Sequence, residues 1–317
     1  MPASRTNPSA AAADAGLRAE LATRVRAFGA ALSRRLPNFR GKERAVRAFE
    51  ACLRSIAPSL PLLRVTVDGV TYALQTEDIN DYRVAYLSEN AGAVVRYVDR
   101  IIVGRSAVFW DVGANVGTVS LPLARRHADL SIEAFEPSPP VIARLRRNLA
   151  LNGDAAARIR LHEAALCDRI GSVDFYPSAE SENSGVGTLM ATTNTLTAPV
   201  RVAAHTGDAL IAAAAARPPD VIKIDVEGFE YEVLCGLRQY LTERRDLVVV
   251  FEHEPYRLRD RTESPSPIEL LTSLGFKVFG LTRRAEIQPL GAAMLDKHID
   301  LVACGRAATQ RIHEGQQ

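Results

Sequence analysis

The chain has 317 residues, 47% apolar and 24% charged, with a formal net charge of +2. That length holds one large α/β core with additions, and no apolar run approaches the ~20 residues a membrane-spanning helix requires. Charge is uneven: residues 1–60 carry eleven Lys/Arg against four Asp/Glu, a net of +7 that leaves −5 for the remainder. A mildly acidic core lacks the basic, aromatic-interleaved stripe of a nucleic-acid channel, so no nucleic-acid partner is expected. Cys52, Cys167, Cys235 and Cys304 have neither metal-ligand nor CxxC spacing. They read as free thiols of a reducing compartment. The Ala-rich start shows no charged segment followed by an apolar one, as a secretory signal would, and the expected location is cytoplasmic.

Residues 1–14 offer little apolar surface and are expected to form a disordered tail. Residues 15–79 read as a basic helical and hairpin extension. Leu17, Leu21, Val25, Phe28, Leu32 and Leu36 recur in steps of three and four, the signature of an amphipathic helix, with Arg18, Arg24, Arg34 and Arg35 elsewhere around it. Such a helix attaches to an anionic membrane surface, or packs on the catalytic domain or a second subunit. Pro37 closes it. A second helix is predicted over Lys42–Ile56, then a hairpin through Asp68-Gly69 joining runs at 62–67 and 70–74. Asp81 to Asp99 reads as one helix.

From residue 107 strands and helices alternate, which predicts a doubly wound, mostly parallel sheet. Strands are expected at 107–111, 131–135, 158–162, 220–225, 246–251, 275–280 and 299–304, with helices near 117–127, 138–151, 206–216, 230–240 and 266–274. Two stretches break the alternation. Ala164–Tyr176 reads as an added hairpin around Asp168-Arg169-Ile170-Gly171. Ser178–Pro199, rich in Ser, Thr, Asn and Gly, is long enough to be either a substrate lid or surface disorder. Residues 307–317 are expected to be a flexible tail.

Val108 to Thr118 reads as a buried strand entering a small-residue turn and a helix start, with Asp111 near the strand tip and Gly113 and Gly117 in the turn. In an open parallel sheet the ligand crevice lies beyond the carboxyl ends of the strands where strand order reverses. The next strand ends at Glu136, about 20 residues past the turn, where an acid can accept both hydroxyls of a ribose. The turn reads Gly113-x-Asn115-x-Gly117 and so lacks the middle glycine of a dinucleotide fingerprint, while an acidic strand end suits a cationic amino-acid moiety better than a diphosphate. S-adenosylmethionine carries such a moiety together with a ribose.

Asp225 and Glu227 stand at the end of another apolar strand. Lys223 within that strand calls for a carboxylate partner such as Glu227 or Glu252, unless its amine snorkels to the surface. Glu230 and Glu232 start the following helix, where they favour its dipole; no chemistry is assigned to them. The strand at 246–251 runs into Glu252-His253-Glu254. A reaction at a hydroxyl needs alignment and removal of a proton, so His253 is a candidate base, with Asp225 competing and Glu227 beside it. Asp225, Glu227, Glu252, His253 and Glu254 could converge on a metal, but there is no dedicated ligand spacing and no required metal is expected.

Three segments, Asp111-Val-Gly-Ala-Asn-Val-Gly, Ala134-Phe-Glu-Pro and Lys223-Ile-Asp-Val-Glu-Gly-Phe-Glu, resemble in order and spacing the signatures of FkbM-type S-adenosylmethionine-dependent methyltransferases. The resemblance covers about 80–255 and more weakly extends to 304. It implies a Rossmann-like class I methyltransferase sheet, mostly parallel with an antiparallel last strand, over a domain at 80–306. It also implies O-methylation of a hydroxyl on a sugar, glycan or secondary metabolite. Family precedent places the Asp111–Gly117 turn (Asp111, Gly113, Asn115, Gly117) and Glu136 on the cofactor; Asp225 is expected at its methionine end or orienting the acceptor. A nicotinamide-dependent oxidoreductase is the alternative enzyme, weakened by the glycine spacing and the lack of a Tyr-x-x-x-Lys pair. A non-catalytic nucleoside-binding module is the alternative from another class.

Overall fold

The computed structural model describes residues 8–37, 39–58, 60–87, 92–177, 198–255 and 266–309. The chain divides into two compact units, Met1–Glu89 and Asn90–Gln317. In the first, α1 (Pro8–Arg35) and α2 (Lys42–Ile56) precede the antiparallel hairpin of β1 (Leu63–Val67) and β2 (Val70–Leu74). Asp68 and Gly69 take φ of 50° and 78°, the paired positive values of a two-residue turn whose twist matches that of the strands. The unit ends in α3 (Ile79–Tyr82), started by Asp78, whose side chain accepts from Asn80 N and Asp81 N, and a π-helical turn at Arg83–Leu87.

Four expectations for this part of the chain change. The α1 helix starts at Pro8, inside the stretch read as a tail, because Ala10–Ala13 have the highest intrinsic helix propensity. Its apolar stripe does not face the core of the unit; Ala22, Arg26, Ala30 and Ser33 do. Arg26 donates to Glu50 Oε1 (2.8 Å), to Pro61 O (2.8 Å) and to Thr76, and Glu50 also accepts the Tyr86 hydroxyl. This buried charge is therefore paired, and each of its three guanidinium nitrogens donates a hydrogen bond, the condition under which it is tolerated. Ser33 Oγ donates to Tyr86 O (2.8 Å) and Tyr82 OH to Glu43 O (3.0 Å), which anchors 79–87 here and moves the unit boundary from 79/80 to after Glu89. The single helix expected over Asp81–Asp99 is replaced by the π-helical turn and a separate α4 (Gly92–Ile102).

The second unit runs in order α4, β3 (Ala107–Val112), α5 (Ser120–Arg126), β4 (Leu130–Phe135), α6 (Pro139–Ala150), α7 (Gly153–Ala156), β5 (Ile159–His162), β6 (Ala165–Leu166), β7 (Gly171–Phe175), β8 (Val200–His205), α8 (Gly207–Ala212), β9 (Val221–Ile224), α9 (Glu230–Cys235), α10 (Arg238–Glu243), β10 (Val248–His253), α11 (Pro267–Ser273), β11 (Lys277–Leu281), β12 (Ile287–Pro289), α12 (Ala292–Leu295) and β13 (Ile299–Cys304). Its main sheet has the order β5-β4-β3-β9-β10-β13-β11-β12. The strands β5, β4, β3, β9 and β10 are parallel, while β13 slots antiparallel between β10 and β11. This is the expected doubly wound Rossmann-like sheet with an antiparallel last strand. The chain steps outward from β3 to β4 and β5, then returns at β9 on the other flank of β3, so strand order reverses between β3 and β9. Trp110, Phe135, Ile222, Ile224, Leu237 and Phe251 belong to the core cluster that holds these strand ends.

The hairpin expected within 164–176 does not form. Strands β6 and β7 each pair with β8, β7 antiparallel across the intervening loop and β6 parallel. A two-residue β6 offers too short a ladder, whereas Phe175, Ala165 and Val202 share an apolar cluster that rewards the distant pairing. Residues 178–197 of the predicted lid lie outside the described residues. At the other end, Ala308 and Thr309 are buried and Thr309 N donates to Gly305 O (2.9 Å), so 307–309 belong to the folded unit and not to a tail. No described helix is long and apolar enough to cross a membrane.

Candidate active site

At the β3/β9 reversal lies a cleft lined by Gly113, Asn115, Glu136, Asp225 and Glu227 with an apolar wall that includes Phe135, Val141 and Leu166. The turn after β3 is shaped by Gly113 at φ 78°, where a Cβ would stand 1.9 Å from Asp225 O. Glycine is needed there because the end of β9 approaches, as well as for ligand access. Asn115 follows in the left-handed region (φ 50°), which an Asn tolerates better than most residues. Its Oδ1 is buried without a hydrogen-bond partner, an acceptor left for whatever fills the cleft.

Glu136 closes the other side. Its Oε2 accepts from Asn115 N (3.0 Å) and its Oε1 from Ser138 N (2.9 Å), so one carboxylate staples the β3 turn to the β4 turn. A carboxylate has about four lone-pair positions, and two remain for a vicinal diol. Burial pushes its pKa up to about 7 against the pull of those two bonds and of Lys223. Phe135 is held at the wall by a stacked His162 (centroids 4.5 Å), itself bonded to Glu133 Oε2 at 2.6 Å.

Two residues assigned to the cofactor stand behind the cleft. Asp111 is fully buried, takes the Ser120 hydroxyl on Oδ2 (2.5 Å) and pairs with Lys223 Nζ through Oδ1 (3.3 Å). Gly117 (φ 89°) packs under α5 and α6, where a Cβ would meet Leu121 and Leu145 at 3.0 Å. Both shape the turn; neither lines the cleft.

Lys223 is buried and bridges the two strand ends. Its Nζ donates to Gly113 O (2.7 Å) and pairs with Asp111 and Asp225 (3.4 Å), not with the Glu227 or Glu252 anticipated. Burial opposes its charge, yet the two aspartates outweigh burial and hold its pKa above the ordinary lysine range. After β9 the chain turns sharply with Glu227 at φ 56°. Glu230, to which no chemistry was assigned, buttresses that turn: its Oε1 accepts from Val226 N and Gly228 N, both at 3.2 Å. Burial pushes its pKa up to about 7.

Side chains alternate along a strand, and the register decides which of them meet. Lys223 pairs with Asp111 on one side and Val250 on the other, so Asp111, Lys223 and, two residues on, Asp225 and Glu252 share one face. Asp300 of β13 is the register partner of Glu252. Carboxylate oxygens of Asp225, Glu227 and Glu252 come within 4.8 Å of one another. Two of these carboxylates already have basic partners, Lys223 for Asp225 and His298 for Glu252, with His298 Nε2 2.6 Å from Glu252 Oε1. Burial first, then Asp225, Glu227, Glu230 and Asp300, push the Glu252 pKa up to about 10. Burial and Asp225 push Asp300 up to about 6.

His253 falls on the opposite face. It is buried, its Nε2 donates to Leu295 O (3.0 Å), and it is not among the residues that line the cleft. The histidine that does reach the carboxylates is His298, half-exposed at the start of β13 and not singled out from the sequence. Its only local signal is its place in the polar run Asp296-Lys297-His298-Ile299-Asp300.

The family model of the methyltransferase FkbM domain matches residues 111–278, more than half of the chain and the whole of the cleft just described. The chain belongs to the FkbM methyltransferase family. Among its relatives, the hexuronic acid methyltransferase AglP of Haloferax volcanii is 30% identical over 167 residues, 53% of this chain and 64% of that protein. The 2-O-methyltransferase NoeI of Sinorhizobium fredii is 26% identical over 193 residues, 57% of this chain and 76% of that protein. The match thus spans just under two thirds of AglP. A solved FkbM methyltransferase from Methylobacillus flagellatus superposes with a TM-score of 0.41 at 15% identity, over 62% of this chain and 43% of the other.

Proposed function

We propose that this FkbM-family chain is an S-adenosylmethionine-dependent O-methyltransferase acting on a hydroxyl of a sugar or glycan. The observation that carries the cofactor assignment is the Glu136 staple, whose two free acceptor positions face the cleft beside the orphaned Asn115 Oδ1. When bound, S-adenosylmethionine supplies an electrophilic methyl group on a sulfonium. Glu136 would accept the ribose hydroxyls, and the apolar wall of Phe135, Val141 and Leu166 would receive the adenine. Asn115 Oδ1 and the half-exposed Asp225 would accept from the ammonium group.

For a hydroxyl acceptor, the oxygen–carbon bond forms as the carbon–sulfur bond breaks, and the hydroxyl proton must go to the protein. The Glu252–His298 pair, next to Asp225 and Glu227 at the mouth of β9 and β10, takes that proton at Glu252 Oε1 or His298 Nε2. Asp225 and Glu227 orient the acceptor. The relatives named for hexuronic acid and 2-O-methylation support a sugar hydroxyl as acceptor.

Calorimetry with S-adenosylmethionine, S-adenosylhomocysteine and NAD tests the cofactor. Binding of the first two and not of NAD is expected; binding of NAD alone overturns the reading. A mass gain of one methyl group on a glycan-containing fraction, dependent on S-adenosylmethionine, tests the acceptor class.

A further inference from the structure

The face of α1 that the first unit leaves outward is its apolar one. Leu17 is 66% exposed, Leu21 62% and Phe28 71%, and Val25, Leu32, Leu36 and Phe39 are exposed as well. A helix exposing a continuous line of large apolar side chains needs a partner, because scattered exposure is ordinary and a contiguous stripe is not. The inward face of the same helix is already filled by Ala22, Arg26, Ala30 and Ser33.

Two features of the stripe identify the occupant. The first is its spacing. Within α1, Leu17 and Leu21 recur as Phe28 and Leu32, each eleven residues later, with Val25 between them; Leu36 and Phe39 follow the helix end. An eleven-residue repeat is about 3.67 residues per turn, close to that of a straight helix, whereas the left-handed seam of a helix pair drifts to 3.5. The line therefore runs straight along α1, as contact with a flat surface requires. The second is charge. At 100° per residue, Arg18 borders the stripe on one side and Arg24 and Arg35 on the other, all exposed, with Arg40 exposed beyond the helix end. Glu20, which pairs with Arg24, is the one acid among the described exposed side chains of α1 and lies farther around than that arginine. Two identical copies laid stripe to stripe would bring arginine flanks together, while an anionic surface meets them with opposite charge.

We propose that this face of α1 docks on an anionic lipid surface, with the leucine, valine and phenylalanine side chains entering the headgroup boundary and the flanking arginines on lipid phosphates. A helix lying in the interface draws on both terms, buried apolar area and attraction to anionic lipid. The proposal is independent of the methyltransferase reading.

Co-flotation of the full-length protein with vesicles of phosphatidylcholine alone and of phosphatidylcholine with phosphatidylglycerol tests it. Binding to the anionic vesicles is expected, weaker by about tenfold on neutral ones and in 0.5 M salt. The exposed double substitution Leu21→Ser/Phe28→Ser is expected to reduce anionic-vesicle binding at least about tenfold while leaving the melting temperature unchanged. Three outcomes overturn the proposal: no flotation with anionic vesicles, flotation indifferent to the double substitution, or a concentration-dependent dimer that the substitution dissolves in the absence of vesicle binding. The last assigns the face to a second copy of the chain.

Discussion

His298 Nε2 and Glu252 Oε1 lie 2.6 Å apart, joining the start of β13 to the end of β10, with Glu252 within 4.8 Å of Asp225 and Glu227, which line the cleft. Substituting His298→Asn is expected to lower kcat by about 10²–10⁴-fold, the usual contribution of a positioned proton acceptor, with the Kd for S-adenosylmethionine unchanged. Because crowding by burial and four neighbouring acids pushes the Glu252 pKa up to about 10, the pair holds a proton at neutral pH that it must first lose. Turnover is therefore expected to rise with pH from 7 toward 10, and the rise to flatten in His298→Asn and in Glu252→Gln. A pH-independent wild-type kcat would rule the pair out as the acceptor of the proton.

His253, by contrast, is expected to be structural. His253→Ala removes the bond to Leu295 O, worth about 0.5–1.5 kcal/mol at a carbonyl that water can reach. Urea denaturation should show this loss while kcat stays within about threefold; a hundredfold fall in kcat with unchanged stability would return the base role to His253.

Glu136 ties cofactor affinity to pH. Its pKa of about 7 means that it is held neutral below that value, and hydroxyl donors of a ribose favour the ionised form. Affinity for S-adenosylmethionine is expected to fall by up to about tenfold per unit as pH drops below 7, measured by calorimetry, with Glu136→Gln weaker throughout and flat. The same shift acts on stability in the opposite sense. A raised carboxyl pKa stabilises the fold fully below the unfolded value near 4.5, and this contribution is lost as pH rises through 7. The ligand-free protein should melt lower at pH 8 than at pH 5, less so in Glu136→Gln/Glu230→Gln.

Removing Lys223 leaves Asp111 as a fully buried carboxylate without its cation. Lys223→Met is expected to destabilise by about 3–5 kcal/mol, and adding Asp111→Asn should restore part of the loss, because the uncompensated charge and not the missing ion pair dominates. Additive losses in the double variant would refute this.

Asp225 and Glu252 already have Lys223 and His298 as partners, so the three converging carboxylates do not need a cation to be tolerated. Dialysis against EDTA should leave turnover unchanged. Loss of activity restored by magnesium would show that the carboxylates are ligands.

Much of the fold was legible because its signals are local. The turns at Asp68-Gly69 and Gly113-x-Asn115, the apolar runs of β3, β4, β9 and β10, and Glu136 at a strand end each depend on neighbours within a few residues. The sequence by itself therefore determined the doubly wound sheet, the crevice where strand order reverses and the acid that faces it. Tertiary structure alone decided which groups meet there. The pairing of β7 with β8 rested on an apolar cluster formed across a long loop. The antiparallel register of β13 on β10 put Glu252 beside Asp300 and His298, while the alternation along β10 leaves His253 on the other face. In α1 the periodicity located the stripe, but only the buried Arg26–Glu50 pair determined that it points outward. Those partners lie far apart in sequence, and no local propensity encodes which of two faces a distant element will cover.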